Sequence, residues 1–187
     1  MTDQIVFVDV ETGGLDPRNY PLIQVAAVAV NEDFQELETI EVKLRFEESA
    51  ADRKALAING YSREVWDREA VMAYDARDRV GDFLARHSTA STVGTRARLA
   101  GHNVAFDIGF LDMLWSGLPR PWHRHALCTV SLALWHYAGR PAAERPPSYS
   151  LQALVSHLGI QQARAHEALS DARASLDIAR RLRGVAP

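Results

Sequence analysis

The sequence predicts an α/β fold: a mixed five-stranded sheet flanked by helices, its first three strands an antiparallel meander. Two observations carry this. Within the first 46 residues, apolar runs and two-residue alternation recur with only short connections between them, as neighbouring antiparallel strands require. From residue 50 onward the apolar spacing becomes helical and is broken by two short apolar segments, so strands come first and helices then alternate with short strands. The 187 residues suffice for one domain with a substantial core, read as spanning 1–187.

Taken in order, Ile5 to Val10 reads as a central strand, apolar on both faces apart from its acids. Pro21 to Asn31 reads as a second strand and Glu36 to Phe46 as a third. Alternation at Ile40, Val42, Leu44 and Phe46 makes the third half-exposed. Ala51 to Ile58 is a short helix stopped by Asn59-Gly60. Ala70 to His87 is a longer amphipathic helix bearing Val71, Tyr74, Val80, Phe83 and Leu84. Ser88 to Thr95 is polar and reads as a loop, and Leu99 to His102 as a short strand. Asn103 is placed to cap a helix running to about Trp115, ended by Gly117 and Pro119. Ala126 to Thr129 is a last short strand, followed by a helix through Tyr137. Gly139 to Pro147 is a turn-rich loop. Ser150 to His157 and about Glu167 to Leu182 are the final two helices.

Bulk properties exclude more than they identify. The longest apolar stretch, Val25 to Val30, is far too short to span a bilayer, and Met1-Thr2-Asp3-Gln4 lacks the basic start of a secretory leader. A single cysteine, Cys128, forbids an internal disulfide and points to a reducing, cytoplasmic location; Leu127 and Val130 beside it suggest a core thiol. The net charge of −3 argues against a non-specific nucleic-acid coat protein. Lys43 and Lys54 are the only lysines, so no mechanism can use a lysine from the last two thirds of the chain.

The chemistry starts at Asp9-Val10-Glu11. Carboxylates at i and i+2 of a strand share a face, roughly 6–7 Å apart at the Cα. Like charges there repel, and burial worsens the repulsion. A divalent cation with hard oxygen ligands, Mg²⁺ or Mn²⁺, resolves it. Thr12-Gly13-Gly14 then turns sharply and leaves room for a ligand. Asp107 falls on one helical face with Phe110, Leu111 and Leu114, an acid on a stripe that should be buried. A favourable helix-dipole position explains it as well as a functional role does. Asp171 lies in the first turns of the last helix. His166, five residues earlier and about 140° away on an ideal helix, belongs at the helix entrance.

Together three segments resemble the DEDDh, or DnaQ-like, 3′→5′ exonucleases of the ribonuclease H-like superfamily. They are Phe7-Val8-Asp9-Val10-Glu11-Thr12-Gly13-Gly14-Leu15, Gly101-His102-Asn103-Val104-Ala105-Phe106-Asp107-Ile108-Gly109-Phe110-Leu111, and His166-Glu167-Ala168-Leu169-Ser170-Asp171-Ala172. They occur in the family's order and span most of the chain. The resemblance implies that Asp9, Glu11 and Asp171 ligate one Mg²⁺ or Mn²⁺ and that Asp9 and Asp107 hold a second. It implies that His166 is the general base and that 5′-mononucleotides leave from single-stranded DNA or RNA 3′ ends. By the same likeness Thr12, Gly13, Leu15, Ile58 and Phe106 surround the terminal nucleotide, and Asn103 lies near the phosphate backbone. Plain core is an equal reading for Ile58 and Phe106, and helix capping for Asn103. Tyr61 either stacks on a base or covers the Asn59-Gly60 turn.

Other features carry less. Arg120, Arg124, Arg140, Arg145 and Arg164 sit in loops where they either track phosphates or are simply solvated. His123 and His125 read as a loop pair, not a metal site. Some relatives of this kind are homodimers, and Trp115, Trp122 or Trp135, if exposed, would build such an interface. Two rivals remain: a ribonuclease H-like endonuclease, which shares fold and metals, and a non-catalytic nucleic-acid-binding subunit. The His166-to-Asp171 spacing disfavours the first and the complete acidic set the second. A haloacid-dehalogenase-type phosphatase needs an Asp at the position of Glu11 and a later lysine, and has neither.

Overall fold

The computed structural model describes residues 4–91 and 94–184; residues 1–3, Thr92 and Val93 of the polar segment, and residues 185–187 lie outside them. Five strands, β1 (Ile5–Thr12), β2 (Leu22–Val30), β3 (Glu36–Lys43), β6 (Leu99–Gly101) and β7 (Leu127–Cys128), form one sheet of order β3-β2-β1-β6-β7. β1, β2 and β3 pair antiparallel, while β6 joins β1 and β7 joins β6 in parallel. This is the mixed sheet and meander that the sequence predicts.

Alternation along β1 sorts its side chains between two layers. Val6, Val8 and Val10 face a core built with α3 (Ala73–Arg86) and α4 (Ala105–Leu114), through Val80, Phe83, Leu84, Phe110 and Leu111. Phe7 faces the other way and packs with Ala172, Leu176 and Ala179 of α7 (Ala168–Arg183). Asp9 and Glu11 share the parity of Phe7, so the sheet delivers both acids toward the end of the sheet where α7 begins. α5 (Thr129–His136) and α6 (Leu151–His157) complete that layer against α7. A bulge between Glu11 and Thr12 ends regular pairing with β2 just beyond the acids. Gly101 closes β6 where a Cβ would stand 2.7 Å from the Val8 carbonyl, so only glycine lets the chain pass this close to β1 on its way into α4.

Several sequence expectations need correction. α1 (Arg53–Ile58) is followed by a helix that sequence reading missed, α2 (Arg63–Glu69), which buries Trp66. A seven-residue segment with five charged residues offers little periodicity, and α2 owes its place to the pocket around Ile23, Leu56 and Ala70. The long helix starts at Ala73, not Ala70: Val71 bridges to Leu44 in an extended conformation, and Tyr74 points outward. The polar segment 88–95 is not a plain loop, because β4 (Thr89–Ser91) and β5 (Gly94–Arg96) pair antiparallel. Asn103 does not cap α4. Val104 holds that position, and Asn103 adopts a left-handed φ of 55° while its carbonyl accepts the Phe106 N–H at 2.9 Å. Cys128 is half-buried, not core. Trp115 and Trp122 are 6% and 2% exposed and pack edge to face at 5.2 Å, since the 116–121 loop folds back and Trp122 bridges to Ala97. Trp135 alone of the three is exposed, so Trp115 and Trp122 are withdrawn from the expected interface and only Trp135 stands on the surface. Among the described residues no helix is long and apolar enough to cross a membrane.

Candidate active site

β1 supplies Asp9 and Glu11, and the first turn of α7 supplies Asp171. One carboxylate oxygen from each lies within 4.8 Å of the others. Asp107 joins them from α4, across the sheet end. Its Oδ1 accepts the backbone N–H of Val10 at 3.0 Å, which sets the carboxylate against the one residue that separates Asp9 from Glu11. Asp107 is buried, as its place on the Phe110–Leu111 stripe requires.

The electrostatics are those of buried carboxylates crowded together. Burial raises Asp9 well above the usual carboxylate range, and the charges of Asp107, Asp171 and Glu11 raise it further. Glu11 is pushed up to about 8, first by burial and then by Asp171 and Asp107. Burial likewise lifts Asp107 to about 8, against hydrogen bonds from its own N–H and that of Val10. Asp171 is raised by burial despite the nearby His166 and Gln162. Four acids, each favouring the proton, have the donor set a hard divalent cation takes. Among the described residues Asp9, Glu11 and Asp171 are the only trio with metal-ligand spacing, and His123 and His125 merely pack at a tilt in their loop, 5.1 Å apart.

His166 lies at the entrance of α7 with a left-handed φ of 61° and an exposed side chain. Its backbone N–H donates to Asp171 Oδ2 at 3.3 Å, so the imidazole is tied to the cluster through its backbone and free at its ring. It lines a cavity of about 300 Å³ with Lys43, Arg164, Ile58 and Asn59.

A second cavity, about 450 Å³ and mainly apolar, opens beside Glu11. Thr12, Leu15, Ile58 and Phe106, all singled out from sequence, line it together. Leu15 is 84% exposed and Ile58 57%, which rules out the core reading for Ile58. Phe106 is half-buried and rests on Phe110 at 5.1 Å. Gly13 does not line this cavity; it is buried where a Cβ would meet Pro21 at 2.7 Å and Ala51 at 2.8 Å. Asn103 is exposed and also stands outside the lining. Sequence reading missed Tyr20, Lys54 and Asn59 in the wall. Asn59 donates to the Thr12 carbonyl at 2.8 Å and so fastens α1 to the strand end, a contact 47 residues long that no local pattern announces. Tyr61 packs between Phe46 and Trp66 and lines neither cavity. Several arginines read as phosphate trackers have protein partners: Arg120 pairs with Asp112 at 2.7 Å, Arg140 lies over Tyr137, and Arg145 donates to the Arg140 carbonyl.

The mixed sheet of this order with its flanking helices is an exonuclease-type fold. The chain belongs to the exonuclease family: the family model described as Exonuclease (RNase_T) matches residues 6–179. It is 27% identical over 175 residues to the PolC-type DNA polymerase III of Thermotoga petrophila, covering 92% of this chain and 11% of that one. It is 31% identical over 114 residues to ribonuclease T of Vibrio vulnificus, covering 57% of this chain and 52% of the relative. The chain thus spans about a tenth and about half of these relatives. Exonuclease I from Methylocaldum szegediense superposes with a TM-score of 0.79 at 22% identity, over 97% of this chain and 40% of that one. E. coli exonuclease I in complex with a dT13 oligonucleotide gives 0.77 at 18% identity, over 98% and 41%. At these identities the structural likeness establishes the fold.

Proposed function

We propose that the protein is a metal-dependent 3′→5′ exonuclease that releases 5′-mononucleotides from single-stranded DNA or RNA ends. The convergence of Asp9, Glu11 and Asp171 within 4.8 Å carries this reading. The fit of these acids to hard cations supports two Mg²⁺ or Mn²⁺ ions, with Asp9, Glu11 and Asp171 at one and Asp9 with Asp107 at the other. When bound, such ions make hydroxide available from water near neutral pH and offset charge on the leaving oxygen.

The chain's own residues do the rest. His166, exposed at the cluster's edge, takes the proton from the attacking water. Thr12, Leu15, Ile58 and Phe106 hold the terminal nucleoside in the apolar cavity, and this burial orients the last phosphodiester toward the acids. Ile58 and Asn59 line both cavities and separate the terminal nucleotide from the space beside His166. A neighbour with the same fold is described in complex with a dT13 oligonucleotide, which favours a single strand as substrate. Relatives named ribonuclease T keep RNA in the substrate class.

The test is a time course on 5′-labelled single-stranded DNA and RNA of one sequence, with Mg²⁺, with Mn²⁺ and with EDTA. A ladder shortening from the 3′ end, abolished by EDTA and by Asp9→Ala, is expected. Internal cuts would instead support the endonuclease reading, and no cleavage would support a binding subunit.

A further inference from the structure

Both oxygens of Asp171 are held by the loop that precedes α7. His166 N–H donates to Oδ2, and the Gln162 side-chain amide donates to Oδ1. Gln162 is itself held: the exposed Gln152 of α6 donates from Nε2 to Gln162 Oε1 at 3.0 Å. The Asp171 carboxylate only accepts, so it selects the N–H end of the Gln162 amide, and Gln152 anchors the oxygen end that this leaves facing α6. A carboxylate has about four lone-pair sites, so Asp171 can keep both bonds and still offer lone pairs to a cation.

We propose that Gln162, oriented by Gln152, is a positioning residue that holds the Asp171 carboxylate in the pose that binds metal. The proposal rests on Asp171 being a metal ligand. Free to rotate, the Asp171 side chain would turn away from Asp9 and Glu11, whose like charges repel it. The two donors restrain it and draw off part of its charge. The network also joins α6 to the loop bearing His166, so one pair of glutamines sets the position of both the acid and the base-bearing loop. Removing partners that orient a metal ligand weakens metal binding by about 10- to 100-fold.

The test is calorimetric titration of the whole chain with Mn²⁺ alone, beside melting curves in EDTA. Wild type is expected to bind and Asp171→Asn to lose that site. Gln162→Leu is expected to bind about tenfold more weakly. Gln152→Leu, on an exposed position that leaves the fold intact, is expected to weaken binding in the same direction. Gln161→Leu, changing the exposed neighbour, is expected to match wild type. Wild-type affinity in both Gln162→Leu and Gln152→Leu, with Asp171→Asn impaired, overturns the proposal while leaving the metal site standing. A lower melting temperature in EDTA with unchanged affinity likewise overturns it, showing a merely structural bond. Absence of Mn²⁺ binding by wild type overturns the metal-site reading and the proposal together.

Discussion

Asp107 Oδ1 accepts the Val10 N–H at 3.0 Å, joining α4 to the C-terminal end of β1 between the two strand acids. One carboxylate thus does two jobs. One oxygen satisfies a buried backbone donor, and the charge adds to the field at Asp9 and Glu11. The jobs separate by mutation. Asp107→Asn keeps an acceptor and removes the charge, whereas Asp107→Ala strands a buried N–H at a cost of about 1–3 kcal/mol. Asp107→Asn is therefore expected to melt at or above wild type in EDTA, Asp107→Ala several degrees lower, and both to lose nuclease activity.

Stability should depend on pH in a definite direction. Glu11 rises from an ordinary 4.5 to about 8 and Asp107 from 3.8 to about 8, so the folded protein holds protons that the unfolded chain releases. The destabilisation is absent below the unfolded values, grows as pH climbs from about 4 to about 8, and is complete above. In EDTA the melting temperature is expected to fall across that window; millimolar Mn²⁺ should recover most of it at pH 8, through binding to the native state alone. A flat profile in EDTA contradicts the crowding of these acids.

His166 is expected to matter for turnover and not for metal binding, since only its backbone touches Asp171. Asn tolerates the left-handed backbone at this position better than Ala, so His166→Asn isolates the loss of the ring. A kcat drop of about 10²- to 10⁴-fold is expected, with Mn²⁺ affinity within a factor of two or so of wild type.

The apolar cavity gives a fourth expectation. Ile58 is 57% exposed, so Ile58→Ala should leave the melting temperature nearly unchanged. It removes methylene contacts with bound nucleoside and should raise KM by about tenfold. Gly13→Ala acts in the opposite manner, because its Cβ would stand 2.7 Å from Pro21 and 2.8 Å from Ala51. It should cost about 1–3 kcal/mol of stability, as overpacking does, and lower the melting temperature accordingly.

What the sequence showed and what it hid divide along physical lines. The strand pattern placed β1, β2 and β3, and the parity of Asp9 and Glu11 followed from it. The stripe of Asp107 with Phe110 and Leu111 foretold its burial. Thr12, Leu15, Ile58 and Phe106 were named from likeness and do share a wall. Local periodicity could not find α2, whose only deeply buried residue is Trp66, or the burial of Trp115 and Trp122, which depends on a loop folding back. Nor could it find Asn59 at Thr12 or Gln162 at Asp171, since side-chain hydrogen bonds between loops leave no spacing to read.

The measurement that bears most directly on the central claim is anomalous diffraction from crystals of the wild-type chain soaked in Mn²⁺. The account predicts two manganese peaks within about 4 Å of each other, bridged by Asp9, one of them also touching Glu11 and Asp171 and the other beside Asp107. Manganese bound elsewhere with these four acids left free, or no peak among them at millimolar Mn²⁺, would contradict it.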